Sequence, residues 1–356
     1  MSLFSPSRRA ILTSSMAAGV ASVAANVRAA ESLSPEPRTV RVLCIDGGGM
    51  RGIVPATFID ALETMSGKPV TELFDLFVGA STGALLALGL NVPDANGRQK
   101  YSARDIVRLY DESGPIIFNK KKGIFGWVAG ITKPSYDPFG FEELLARYFG
   151  ETALSDAIRH VAVPAIHLEE MQMEIFTRRA ARRSPNDDFT MGSLVRAATA
   201  APTFFPAATI SSLNGARTGT YLDAATSTNN PGLIGFAEAG IIKPSDDVVM
   251  VSLGTGRISK PIDAMNARNW GELGWVQAVF DLQNDAQSSY TDRVMADLML
   301  DPVHDTFFRF QIGLREMPVA MDETRKDHLE DLKEQTNIQI QRQLPEIQKL
   351  LAKLSN

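Results

Sequence analysis

Short apolar runs and helically spaced ones alternate along the chain. Val40 to Ile45 reads VRVLCI, a β-rich run that stops at Asp46-Gly47-Gly48-Gly49. From about Pro55 to Met65, the residues Phe58, Leu62 and Met65 recur at helical spacing. Leu73 to Val78 is a second apolar strand. It runs into Gly79-Ala80-Ser81-Thr82-Gly83 and then the apolar helix ALLALGL. Strand–turn–helix twice over predicts a parallel α/β sheet, with ligands expected beyond the carboxyl ends of its strands. Helical spacing returns at 103–112 and 140–148, and strands are predicted at Val161–Ile166 and Glu174–Thr177. Ser193–Ala200 reads as a helix halted before Pro202. Val248–Leu253 reads as a buried strand ending in Gly254-Thr255-Gly256. Long helices fill 272–300 and 322–353, the second interrupted at Pro345.

The first residues follow another pattern. Arg8-Arg9 heads a weakly apolar run rich in Ala, Ser, Val and Gly that reaches Val27, and Val27-Arg28-Ala29 offers small residues at signal-peptidase spacing. That order predicts a twin-arginine export signal over 1–29, and so a periplasmic or secreted protein. A linker with two prolines follows at 30–38. Cleavage after Ala29 removes three arginines and no acid, taking the formal charge from −5 to −8. An acidic chain lacks the clustered basic surface of a nucleic-acid binder. Its single cysteine, Cys44, rules out an intramolecular disulfide. No apolar stretch long enough to span a bilayer follows position 30.

Chemistry concentrates at the turns. Gly79-x-Ser81-x-Gly83 between an apolar strand and an apolar helix is the context of a nucleophile elbow. Its glycines leave room for a tight turn. The helix that follows turns its positive end toward a developing anion. Gly47-Gly48-Gly49-Met50-Arg51-Gly52 also meets the dinucleotide spacing G-x-G-x-x-G. The acid that motif needs would be Asp75, which lies inside the strand leading to Ser81. An oxyanion hole of backbone amides uses both glycine-rich turns together. Ser81 needs a base. None of the four histidines, His160, His167, His304 and His328, sits at an evident turn after a strand. Tyr221-Leu222-Asp223, ahead of the turn-prone Asn229-Asn230-Pro231-Gly232, offers an aspartate instead. Asp223 either takes the serine proton, with a pKa raised by burial, or caps its own loop.

These residues resemble the patatin-like phospholipases. Asp46–Gly52 is similar to their D-G-G-G-x-R/K-G loop and Gly79–Gly83 to their G-x-S-T-G elbow. Ala200-Ala201-Pro202-Thr203-Phe204-Phe205-Pro206 is similar to their A-P-T-x-F-P segment, and Ser252–Gly256 to their late S-L-G-T-G turn. The resemblance implies a three-layer α/β/α fold with a mostly parallel sheet. It places a catalytic domain at 39–260 and a helical C-terminal part, packed on it, at 261–356. It implies a Ser81–Asp223 dyad without histidine, metal or cofactor. The oxyanion hole would come from the amides of Gly48 and Gly49, with Gly47, in a loop that Arg51 either orders or endows with positive charge. Where the family has Asp-Gly, this chain has Asp223-Ala224, and a positive φ at Ala224 would strain the dyad.

The substrates so implied are phospholipids or other acyl lipids met at an interface. Lys120-Lys121-Lys122 followed by Phe125 and Trp127 reads first as a solvated turn above buried aromatics, and as an alternative suits an anionic lipid surface. Arg178, Arg179, Arg182 and Arg183 read as an exposed loop. Two other functions stay open: a catalytically weak lipid-binding protein, and a cytoplasmic effector lipase gated by a nucleotide.

Overall fold

The computed structural model describes residues 39–119, 134–244, 247–258, 263–299, 305–314 and 320–355. The export signal, the linker, Lys120–Lys122, Phe125, Trp127 and His304 lie outside these residues. Thr39–Asn356 form one unit.

The central sheet holds β1 (Val40–Ile45), β2 (Leu76–Gly79), β3 (His160–His167), β4 (Gln172–Thr177), β5 (Ala208–Ser211), β6 (Thr218–Asp223), β7 (Val248–Leu253) and β9 (Asp305–Phe310). Its order is β5-β6-β3-β2-β1-β7-β9, with β4 paired to β3. A two-stranded ribbon joins β8 (Arg257–Ile258) to β10 (Gly313–Leu314). The strands β3, β2, β1, β7 and β9 are parallel, whereas β4, β5 and β6 run antiparallel to their neighbours.

Alternate strand residues face opposite sides. Leu43 and Ile45 join one apolar cluster, and Val42 and Cys44 join another. The first cluster takes the buried faces of α1 (Ile53–Ser66), α2 (Thr82–Gly89), α3 (Ala103–Ile117) and α4 (Phe139–Phe149). Past the short α5 (Arg178–Arg183), α6 (Met191–Ala198) packs on the same side. On the other face lie α7 (Gly232–Ile242), through Ile234 and Ala239, and α8 (Glu272–Leu298), through Met295. The chain closes with α9 (Lys326–Arg342) and α10 (Leu344–Ser355), whose Leu329, Leu332, Ile347 and Leu350 return to the first cluster. The three-layer α/β expectation therefore holds. Pro345 falls in the first turn of α10, where its missing N–H costs no helical bond.

Three expectations are corrected. Val70–Leu73 is a helical turn, so the second strand begins only at Leu76; Phe74 N–H closes that turn onto the Val70 carbonyl at 3.1 Å. Arg178–Arg183 is a short helix rather than a loop, capped by the Thr177 side chain, which accepts from Ala180 N–H at 3.1 Å. Residues 261–356 are not helical throughout, because β9 enters the sheet beside β7.

The pairing of β3 brings two distant turns together. Residues 162–167 of β3 bond β4 along one edge. The opposite edge is shared: β2 pairs with it through Val78 opposite Ala162, and β6 through Asp223 opposite Ala165. Because β2 and β6 run in opposite directions, their carboxyl ends meet head to head. Three residues of β3, about 10 Å of strand, separate the two pairings, and Ser81 and Asp223 both open onto that gap.

Candidate active site

Ser81 occupies φ 53°, ψ −122°, a left-handed conformation rare for a side-chain-bearing residue. The turn is tight because a Cβ at Gly79 would fall on the Gly83 carbonyl, and one at Gly83 on the Ile45 carbonyl. α2 begins at Thr82, so its positive end faces the serine. Thr82 Oγ1 bonds the buried Tyr110 hydroxyl, which ties the elbow to α3.

The glycine loop is anchored on both sides. Gly47 N–H donates to the Asn229 carbonyl at 2.9 Å, and the Gly47 carbonyl accepts from Thr255 Oγ1 at 2.6 Å. Gly47 thus shapes the turn and leaves no amide for an oxyanion, correcting its expected place in the hole. Gly49 has φ +59°, which suits glycine, and its missing side chain makes room for the Met321 carbonyl. The amides of Gly48 and Gly49 have no acceptor among the described residues. Both residues line the same cavity as Ser81. Arg51 is buried and donates from Nε to the Gly48 carbonyl at 3.4 Å, which orders the loop.

Asp223 ends β6 with its carboxyl fully inside. Its N–H bonds the Ala200 carbonyl at 3.1 Å, so the Ala200–Pro206 segment sets its position. Oδ1 accepts from Ala225 N–H at 2.8 Å. Oδ2 is buried and has no full hydrogen bond. Burial pushes the carboxyl up to about 6, and the neighbouring Ser81 hydroxyl and Ala225 amide pull back against it. The hydroxyl is thus near enough to act electrostatically without closing a bond of good geometry, a looseness common in unliganded sites. Ala224 sits at φ −75°, ψ −6°, an ordinary right-handed conformation, so the expected strain there is absent.

No local pattern announced Arg309. From β9 it reaches Asp46 with two bonds, Nη1 to Oδ1 at 3.0 Å and Nη2 to Oδ2 at 2.6 Å. It also donates to Ser252 Oγ at 2.9 Å and lies 2.9 Å from Asp292. Asp46 is almost fully buried, which raises its carboxyl pKa while Arg309 opposes the rise. The pair fixes the root of the glycine loop to the far end of the chain.

The cavity over these groups has a volume of about 590 Å³. Ser81, Asp223, Gly48 and Gly49 form its polar corner, and Leu85, Phe118, Phe141, Phe204, Phe205 and Met321 supply much of its apolar wall. Of the described histidines none lines it. His160 stands at the opposite end of β3, His167 packs edge-on against Tyr221, and His328 lies in α9 beside Arg325.

The family description "Patatin-like phospholipase" matches residues 43–234. Patatin-2-Kuras 3 of Solanum tuberosum is 33% identical over 279 residues, which span 71% of this chain and 70% of the relative. Patatin-like protein 2 of Oryza sativa subsp. indica is 30% identical over 284 residues, with the same two shares. Among solved structures, VipD from Legionella pneumophila aligns over 86% of this chain and 68% of its own, at 12% identity and a TM-score of 0.39. On the family match and the patatin relatives, this chain belongs to the patatin-like phospholipases, a family of lipid acyl hydrolases.

Proposed function

We propose that this protein cleaves fatty acyl esters as a phospholipase A or esterase in lipid catabolism, with Ser81 as nucleophile and Asp223 as base. The observation that carries the reading is a strained, cavity-lining serine next to a buried carboxyl whose Oδ2 lacks a partner. Ionised Asp223 takes the Ser81 proton as Oγ attacks the ester carbonyl. The amides of Gly48 and Gly49 receive the oxyanion. Collapse of the tetrahedral adduct expels the alcohol, which regains the proton from Asp223. Water then attacks the acyl-serine with the same base, releasing the fatty acid. The apolar wall suits an acyl chain.

Fatty acid release from p-nitrophenyl esters and phospholipid vesicles tests the reading. Ser81→Ala and Asp223→Asn should each lose on the order of 10³-fold or more in kcat. Activity surviving in Ser81→Ala rejects the mechanism. The lipid-binding alternative rested on strain at Ala224, and the φ of −75° there removes its motive.

The interfacial and export proposals rest on sequence. Phe125→Ala with Trp127→Ala should weaken liposome binding, and unchanged binding would remove the anchor. Fractionation of cells making the full chain separates twin-arginine export from a cytoplasmic nucleotide-gated effector.

A further inference from the structure

At the end of the sheet opposite Ser81, a second cavity of about 190 Å³ opens among the first residues of β1, β2 and β3. Val40, Asp75, Arg159, His160, Arg178 and Lys243 are among its walls. Among the described residues the guanidinium groups of Arg159 and Arg178, and of the neighbouring Arg182, gather positive charge there without a close ion pair of their own. The Arg178 Nε is buried and has no hydrogen-bond partner, and neither has the buried Nδ1 of His160. Arg159 is fixed by donation from Nε to the Thr71 carbonyl at 2.5 Å, and Arg182 by donation from Nε to the Ser155 carbonyl at 2.9 Å. Neutral carbonyls orient these guanidinium groups and cancel no charge.

The nearby acids are committed or distant. Asp75 is clamped by Arg41 through its N–H and Nε, both at 3.0 Å, and through Nη2 at 2.9 Å. Glu238 faces Arg179 at 3.4 Å. Asp156 acts on Arg178 only at range and is exposed. The crowding is strong enough that burial, with Arg182 and Arg159, lowers Arg178 to about 10. Burial with Arg178 and Arg182 likewise depresses His160. Held this way, the cations repel one another unless an anion joins them.

We propose that this cavity binds a phosphate group, seated between Arg159 and Arg178 of its wall with His160 as a further donor, and with the exposed Arg182 adding positive charge from beside it. Guanidinium forks match tetrahedral oxyanions, and a group carrying close to two negative charges answers two lining guanidinium groups with a third nearby better than a single carboxylate does. The volume admits the phosphate and a small substituent. The group belongs either to a soluble phosphate or to the headgroup of an anionic lipid. The site shares no residue with the cavity around Ser81.

Thermal unfolding of the full chain tests this, with inorganic phosphate or pyrophosphate against sodium chloride of equal ionic strength. A second arm measures co-sedimentation of the Ser81→Ala chain with phosphatidic acid or phosphatidylcholine vesicles. In chloride, Arg178→Gln should melt higher than the wild type, because it relieves repulsion. Added phosphate should raise the wild-type Tm saturably by several degrees and leave Arg178→Gln and Arg182→Gln nearly unmoved. Esterase activity should be unchanged in both variants. A Tm response to soluble phosphate without vesicle binding assigns a soluble ligand. Sedimentation with phosphatidic acid that Arg178→Gln abolishes, without the Tm response, assigns a lipid headgroup. Equal responses of wild type and variants, or no response to either probe, overturn the proposal.

Discussion

Burial raises the Asp223 carboxyl to about 6, and this sets two pH dependences of opposite sense. The proposed role of Asp223 as base needs the ionised form, so kcat/KM should climb with pH and level off above about 6. An infrared difference titration, wild type minus Asp223→Asn, should show the carboxylate band emerging over the same range. Stability runs the other way. Between the unfolded value of 3.8 and the folded value of about 6 the native state holds a proton that the unfolded chain has released. Stability therefore falls as pH rises through that window, and the deficit persists above it, on the order of 3 kcal/mol. Asp223→Asn should then unfold at a higher temperature than the wild type at pH 7, while being inactive. Ala224→Gly should leave the rate within about twofold and cost roughly 0.5–1 kcal/mol in chemical denaturation, since position 224 already has a right-handed backbone. At this scale Ser81 was legible, because its strain comes from five adjacent residues. Asp223 was half legible: its acidity was visible, but its burial depends on Ala200 and Ala225 and on a partner strand far away.

The elements read best where the apolar pattern was undiluted. Val248–Leu253 is buried at every position, and its predicted bounds match the strand. The strand carrying Asp223 was missed because TGTYLD mixes exposed and buried positions and its pairing with β3 is three residues long. β9, DTFFRF, was taken into a helical tail for want of any local turn signal. The segment between β6 and α7 reads as a turn from its asparagines, and its load appears only in three dimensions. Asn230 Nδ2 donates to Asp292 at 2.7 Å, its Oδ1 accepts from Gly232 N–H at 3.0 Å, and its N–H donates to Gln287 at 2.8 Å. The adjoining Asn229 carbonyl holds the Gly47 amide. Asn230→Ala should cost about 1–3 kcal/mol by urea titration, because buried polar partners are left unsatisfied. It should also lower kcat more than it raises KM, since the glycine loop loosens while the apolar wall stays intact.

Over the whole molecule, one buried ion pair joins the first strand of the sheet to its last. Arg309→Met leaves Asp46 uncompensated and takes the cation from Asp292 as well, and should cost roughly 3–5 kcal/mol; the double change Asp46→Asn with Arg309→Met should cost less, the remainder falling on Asp292. A double-mutant cycle in guanidinium chloride measures the difference. Additive losses would mean that the two side chains act independently. No reading of adjacent residues could have found this contact, which links positions 263 apart. The proposed division at 260 cut between the two partners for the same reason. Membrane crossing is a separate question at this scale: among the described residues no helix is long and apolar enough for it.

That separation also has a meaning in time. A ribosome makes Asp46 long before Arg309, and contacts so far apart in sequence close late in folding. A nascent or truncated chain ending before β9 carries the serine elbow, Asp223 and the Asn229 and Thr255 anchors of the glycine loop, but lacks the Arg309 clamp on Asp46. If the glycine loop receives the oxyanion as proposed, full activity should therefore arrive only with the last strand. In refolding from denaturant, esterase activity should recover more slowly than far-ultraviolet ellipticity; simultaneous recovery would place the Asp46–Arg309 closure early.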